Sequence, residues 1–148
     1  MPRERPKRVA DARAALAAAS DAWIATASRS GRPHLVPLDV VRHADDLLAA
    51  TVADSVTARN IAATRRARVG IGDTRDVVMV DADAEVTGWE AAEQAARAAF
   101  VHARGWDPAD ETGEFVLVRL TPVRVQAWRS VEEISGRTVM RDGVWLDG

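Results

Sequence analysis

The stretch from Trp23 to Asn60, WIATASRSGRPHLVPLDVVRHADDLLAATVADSVTARN, constrains the fold more than any other part of the chain. Three short β-type runs, Trp23–Ser28, Pro33–Arg42 and Leu47–Val52, are separated by polar turns at Ser30-Gly31 and Asp45-Asp46. Glycine tolerates the positive φ that a hairpin turn demands, so the first two runs read as a hairpin. The segment then enters a hydroxyl-rich loop, and Asp54 or Ser55 is placed to cap a helix over about Val56–Arg66. An apolar meander that feeds a helix start is the layout of a small barrel with a helix on its flank.

The rest of the chain repeats the theme. Val9–Ala19 is Ala-rich and predicts a first helix, preceded by a loose basic tail over residues 1–8. Arg68–Gly72, Asp76–Thr87, Glu114–Leu120 and Val123–Arg129 read as strands, the last two broken by Pro122. Thr87-Gly88-Trp89-Glu90 has the form of a capping box for a helix reaching about Ala103, with Glu93 and Arg97 pairing on its outer side. Thr138–Leu146 reads as a terminal hairpin around Asp142-Gly143. Helices inserted between many strands do not make the alternation of a doubly wound sheet. The expectation is mainly β, a single domain over residues 9–148 built as an antiparallel barrel with helical insertions.

Composition removes several functions. With 148 residues, 47% apolar and 28% charged, the chain can bury one core. A net charge of −2 favours neither nucleic acid nor an anionic membrane as partner. The absence of cysteine removes disulfides, thiolate nucleophiles and Cys-based metal sites. No apolar stretch is long enough to span a bilayer, and MPRERPKRV lacks a signal-peptide core, so a cytoplasmic protein is expected. Asp81, Asp83 and Glu85 share a strand face by alternation and read as solvated; His34, His43 and His102 match no zinc spacing, so no metal site is expected.

The loop Asp54–Asn60 is open to two readings. A helix N-terminus with Ser55, Thr57 and Arg59 can hold an anion through free N–H groups, hydroxyls and a guanidinium. It also reads as an ordinary capped helix with a surface arginine, which is the commoner arrangement. Alternation over Pro33–Val41 sets His34, Val36, Leu38 and Val40 toward a barrel interior, and Leu35, Pro37, Asp39 and Val41 outward.

The order of Gly31-Arg32-Pro33, Val36-Pro37, Ser55, Thr57, Asn60-Ile61 and Ala67-Arg68-Val69, closed by Leu120–Arg129, resembles the pyridoxamine 5'-phosphate oxidase-like split barrels that bind FMN or the deazaflavin F420. The resemblance spans roughly residues 20–130. It implies an FMN-binding split barrel, a homodimer with cofactor at the subunit interface, and a redox enzyme whose cofactor carries the hydride chemistry to a small organic substrate. Leu35, Pro37, Asp39, Thr51, Ser55, Thr57, Arg59, Asn60 and Trp128 are the cofactor-binding positions it implies, Trp128 through the partner subunit. The family position commonly held by lysine is Thr57 here, which leaves the phosphate to Arg59, the hydroxyls and backbone N–H groups. The Ser-x-Thr-x-Arg-Asn loop is most similar to the actinobacterial branch, favouring F420 over FMN. A split barrel that binds a ligand without turnover, and a purely structural dimer, are the rival readings.

Overall fold

The computed structural model describes residues 1–147. Helix α1 (Arg5–Ala18) precedes strands β1 (Asp21–Ala27), β2 (Pro33–Asp39), β3 (Val41–His43) and β4 (Asp46–Val52). Helix α2 (Val56–Thr64), strands β5 (Arg66–Ile71) and β6 (Val77–Gly88), and helix α3 (Gln94–Arg104) follow. The chain ends in the long strand β7 (Phe115–Trp128) and the hairpin β8 (Thr138–Arg141) and β9 (Val144–Trp145). Every pairing is antiparallel, in the order β2-β1-β5-β6-β7-β4-β3, with β8 and β9 attached to β7. The sheet curls into a half-barrel, mainly β, as the sequence predicts.

Strand alternation builds the interior. Ile24, Val69, Val80, Val118, Leu120 and Val125 are fully buried on the concave face. Val9, Ala12 and Leu16 of α1 and Ala58 and Ile61 of α2 complete that core. A second, smaller core lies on the convex side of β4 and β7, where Leu48, Ala50 and Leu117 meet Trp89, Ala96 and Phe100. There Phe100 stands edge-on to both Trp89 and Trp106, at centroid distances of 6.0 and 5.3 Å.

Four expectations are corrected. The basic N-terminus is not a loose tail: α1 begins at Arg5, and Arg8 is buried, donating to the carbonyls of Glu133 (3.3 Å) and Gly136 (2.9 Å). Pro33–Arg42 is two strands, because the buried Val40 donates its N–H to the Ser20 carbonyl (3.0 Å) and turns the chain from one sheet edge to the other. The capping box does not form. Thr87 and Gly88 continue the β6 ladder opposite Leu117 and Val116, so backbone pairing outweighs the local cap. A 3-10 turn at Trp89–Ala91 comes next; Glu93 lies 3.4 Å from Arg119, and Arg97 lies 3.9 Å from Glu90 instead. Finally, Pro122 does not break β7. The register slips where Asp81 opposes Arg124 and Ala82 opposes Pro122, a bulge that needs no N–H from the proline.

The terminal hairpin forms as predicted. Asp142 and Gly143 both take positive φ, 52° and 77°, as a two-residue turn of this kind requires.

Candidate functional site

Ser55 caps α2, its Oγ accepting from the Ala58 N–H at 3.0 Å. Thr51, at the end of β4, donates its hydroxyl to the same Oγ at 3.3 Å. Both lone pairs of Ser55 are thereby used, so its own O–H is the group left free to donate outward. The N–H groups of Val56 and Thr57 lie in the first turn, where a helix supplies no acceptor. Arg59, one turn on, is exposed, and among the described residues it forms no ion pair or side-chain hydrogen bond. Spare donors and the positive end of a helix dipole converge here.

Helix phase turns two predicted residues the other way. Thr57 and Asn60 lie on the buried side of α2 with Ala58 and Ile61. The Asn60 amide donates to the Thr26 hydroxyl at 3.1 Å, fastening α2 to β1, and Thr57 is 2% exposed. Within one chain both side chains are buried. The signal was present in the sequence, since Thr57 stands four residues from the apolar Ile61 and so shares its face.

The exposed side of β2 carries Leu35, Pro37 and Asp39, while His34, Val36 and Leu38 are half-buried against the barrel, the alternation expected. Directly opposed residues share a sheet face. Pro37 opposes Trp23, Trp23 opposes Gly70, and Gly70 opposes Met79, so an apolar row crosses the outside of β2, β1, β5 and β6. Trp23 (52% exposed) and Leu35 (59%) are among its members and immediate neighbours. Trp23 opens β-type sequence beside the inward Ile24, and alternation sets it outward.

Asp39 has a partner that sequence reading missed: the Trp106 indole N–H donates to its Oδ2 at 3.0 Å. Trp128 is held apart from the rest. It opposes Val77 at the far end of β7, whereas Thr51 opposes Val116 near the start, and the Arg137 guanidinium stacks 5.7 Å from the Trp128 ring. Of the implied positions, Thr51 and Ser55 meet through a hydrogen bond at the start of α2, Arg59 lies one turn on, and Leu35, Pro37 and Asp39 share the exposed side of β2. Asp81 is bound to Arg68 (3.1 Å) and Arg124 (2.7 Å), and among the described residues no acidic or histidine cluster suits a metal ion. Nor is any described helix long and apolar enough to cross a membrane.

Comparison with known proteins bears on the fold and the family. No curated protein sequence matches the chain. Among solved structures it is similar to a heme binding protein from Mycobacterium smegmatis, at 18% identity and TM-score 0.68, with 97% of this chain and 60% of that chain covered. It is similar to an F420 reductase at 14% identity and TM-score 0.62, covering 76% of this chain and 93% of that one. A pyridoxamine 5'-phosphate oxidase-related, FMN binding protein from Nostoc punctiforme aligns at 20% identity and TM-score 0.53, covering 82% and 80%. At these identities the likeness establishes the fold. The model of the pyridoxamine 5'-phosphate oxidase family matches residues 9–129, most of the chain, and the protein belongs to that family.

Proposed function

We propose that this protein is a cytoplasmic, F420-dependent oxidoreductase that works as a homodimer and transfers hydride to a small organic substrate, with FMN as the alternative cofactor. The observation that carries the reading is the anion-ready start of α2, supported by an exposed apolar shelf on β2 of the same chain. Ser55, the N–H groups of Val56 and Thr57, and Arg59 suit a phosphate. Leu35 and Pro37 offer a smooth surface for a flat ring; Pro37 presents no backbone N–H there. The residues present thus fit a phosphorylated flavin or deazaflavin, without help from Thr57 or Asn60.

When bound, the cofactor supplies the hydride chemistry. The chain's part is to hold the phosphate at α2, lay the ring along β2 and exclude water from its face. One chain leaves the shelf open, since Leu35 and Trp23 are more than half exposed. A second protomer laid over that shelf would close the pocket and bring in its own Trp128.

A ligand carrier without turnover is the second reading, supported by the extent of the alignment with the heme binding protein. The absorbance spectrum of the purified protein, followed by titration with F420 and FMN, tests both. F420 binding tighter than FMN is expected. Tighter FMN binding reverses the cofactor assignment, and a heme spectrum with no affinity for either cofactor favours the carrier.

A further inference from the structure

A separate cavity of about 410 Å³ lies where α1, the β3–β4 turn, the bend of β7 and the β8–β9 hairpin meet. Six residues define its chemistry: Leu16, Leu47 and Pro122 are its apolar lining, Trp145 a flat wall, and Arg13 and Arg42 its cations. It is distinct from the α2 site. Asp46 of the cavity and Val52 beside Ser55 are the two ends of β4, about 20 Å apart at the rise of a strand. Its volume falls in the range of small-molecule sites, and that range goes with apolar walls and a few placed polar groups.

The fold builds the cavity with specific devices. The β6–β7 register slips at Pro122, and the Gly143 N–H donates to the Val123 carbonyl at 2.9 Å, tying the hairpin to β7 beside the cavity. The Arg13 guanidinium lies 5.3 Å from the centre of the Trp145 ring.

Charge decides what could enter. Asp46 is already bound to Arg119 at 2.8 Å, so its charge is answered inside the wall. Arg42 reaches Asp45 only at 4.0 Å, and Asp45 is fully exposed; Arg13 reaches Asp147 at 3.5 Å with both side chains about half exposed. Exposed pairs of this kind hold weakly and exchange partners readily. Arg42 also donates its Nε to the Ala44 carbonyl at 3.0 Å, which leaves its terminal nitrogens and those of Arg13 to reach an anion. Asp45 and Asp46 also line the cavity, so a singly charged carboxylate meets less repulsion there than a dianion such as phosphate.

We infer that this cavity is a second ligand site, one that takes an organic monocarboxylate with a flat apolar body. The carboxylate is bound between Arg13 and Arg42 and the body lies against Trp145 and Leu47. The assignment does not depend on which cofactor occupies the α2 site.

Calorimetry with 2-naphthoate and its neutral counterpart 2-naphthamide tests it. Naphthoate should bind the native protein at least about tenfold more tightly than the amide, the difference expected for a charge-assisted bond to arginine. Arg13→Gln and Arg42→Gln should each remove most of that preference, and both positions are exposed enough to leave the fold intact. Arg59→Ala, beyond the far end of β4, should bind naphthoate unchanged. The assignment is overturned by absence of naphthoate binding up to about millimolar concentration, by equal affinity for acid and amide, or by native affinity in both glutamine variants. Loss of binding in Arg59→Ala also overturns it, because the compound would then lie in the cofactor site.

Discussion

Arg3 and Arg59 are the same side chain near the start of a helix, and the molecule treats them in opposite ways. Arg3 is clasped: Glu133 accepts from its backbone N–H at 2.6 Å and from its guanidinium at 3.0 and 2.7 Å, and Asp11 accepts at 3.0 Å. Glu133 is 2% exposed and also accepts from the Arg129 N–H at 2.8 Å. Arg59 lies in the open with no partner among the described residues. A buried charge must be answered by its own fold, so the first cluster is structural. A charge kept free beside a helix start is the arrangement that leaves donors for something not of the fold.

Breaking the clasp has the largest expected effect. Glu133→Gln leaves the partly buried Arg3 with Asp11 as its remaining counter-charge and should destabilise the protein by about 2 kcal/mol, lowering Tm by roughly 6 °C. Thermal unfolding checks this; a loss well under 1 kcal/mol would show the clasp to be peripheral. Cofactor affinity should be unchanged.

The same carboxylate sets an acid limit. Its hydrogen bonds, chiefly from the Arg3 side chain, hold the Glu133 pKa at about 2, well below its usual 4.5. A group whose pKa is depressed on folding contributes stability that is complete above its unfolded value and disappears as pH falls through the folded one. Native stability should therefore decline between about pH 4.5 and 2, and Glu133→Gln should remove that part of the slope. The Asp11 carboxyl is lowered too, first by the Lys7 hydrogen bond, and adds to the same acid-side loss.

Arg59→Ala tests the other side. It should weaken cofactor binding by one to two decades, the equivalent of about 1.5–3 kcal/mol, with unchanged Tm. Equal affinity would return Arg59 to the surface. Leu35→Lys is a smaller and more local probe. A charge on the apolar row should shift the proposed dimer toward monomer in light scattering at micromolar concentration, by about tenfold in dissociation constant. A native protein that is monomeric at those concentrations overturns the dimer.

How much of this was legible follows the range of each interaction. The outward setting of Leu35, Pro37 and Asp39 was legible, because a period of two needs only neighbours. The Ser55 cap was legible for the same reason, and Pro33–Arg42 failed only at its corner, where Val40 answers to Ser20 across the sheet. The Thr87 cap was misleading because β7, remote in sequence, claimed that backbone. The clasp joins residues 130 apart, and nothing local to MPRERPKRV announces Glu133. Thr57 and Asn60 show a different limit. Their residue types suit phosphate, and only the phase of α2 relative to its buried face reveals that both side chains point into the fold.

Asp39 is the residue where the contrast is finest, and its removal should have the smallest effect. It is exposed on the shelf, yet its Oδ2 accepts from the Trp106 indole at 3.0 Å, tying the edge of β2 to the loop that follows α3 across 67 residues. A neutral donor on a charged acceptor at an exposed site contributes about 0.5–1 kcal/mol. Asp39→Ala should lose that amount in chemical denaturation, and Asp39→Asn should recover most of it, since an amide oxygen still accepts from the indole. Cofactor affinity separates the two roles. If Asp39 serves the fold through Trp106, both variants leave affinity within about twofold of native. A drop of tenfold in Asp39→Asn, with stability retained, would mean the carboxylate charge is read by the cofactor itself, and would move Asp39 from the clasped class to the free one.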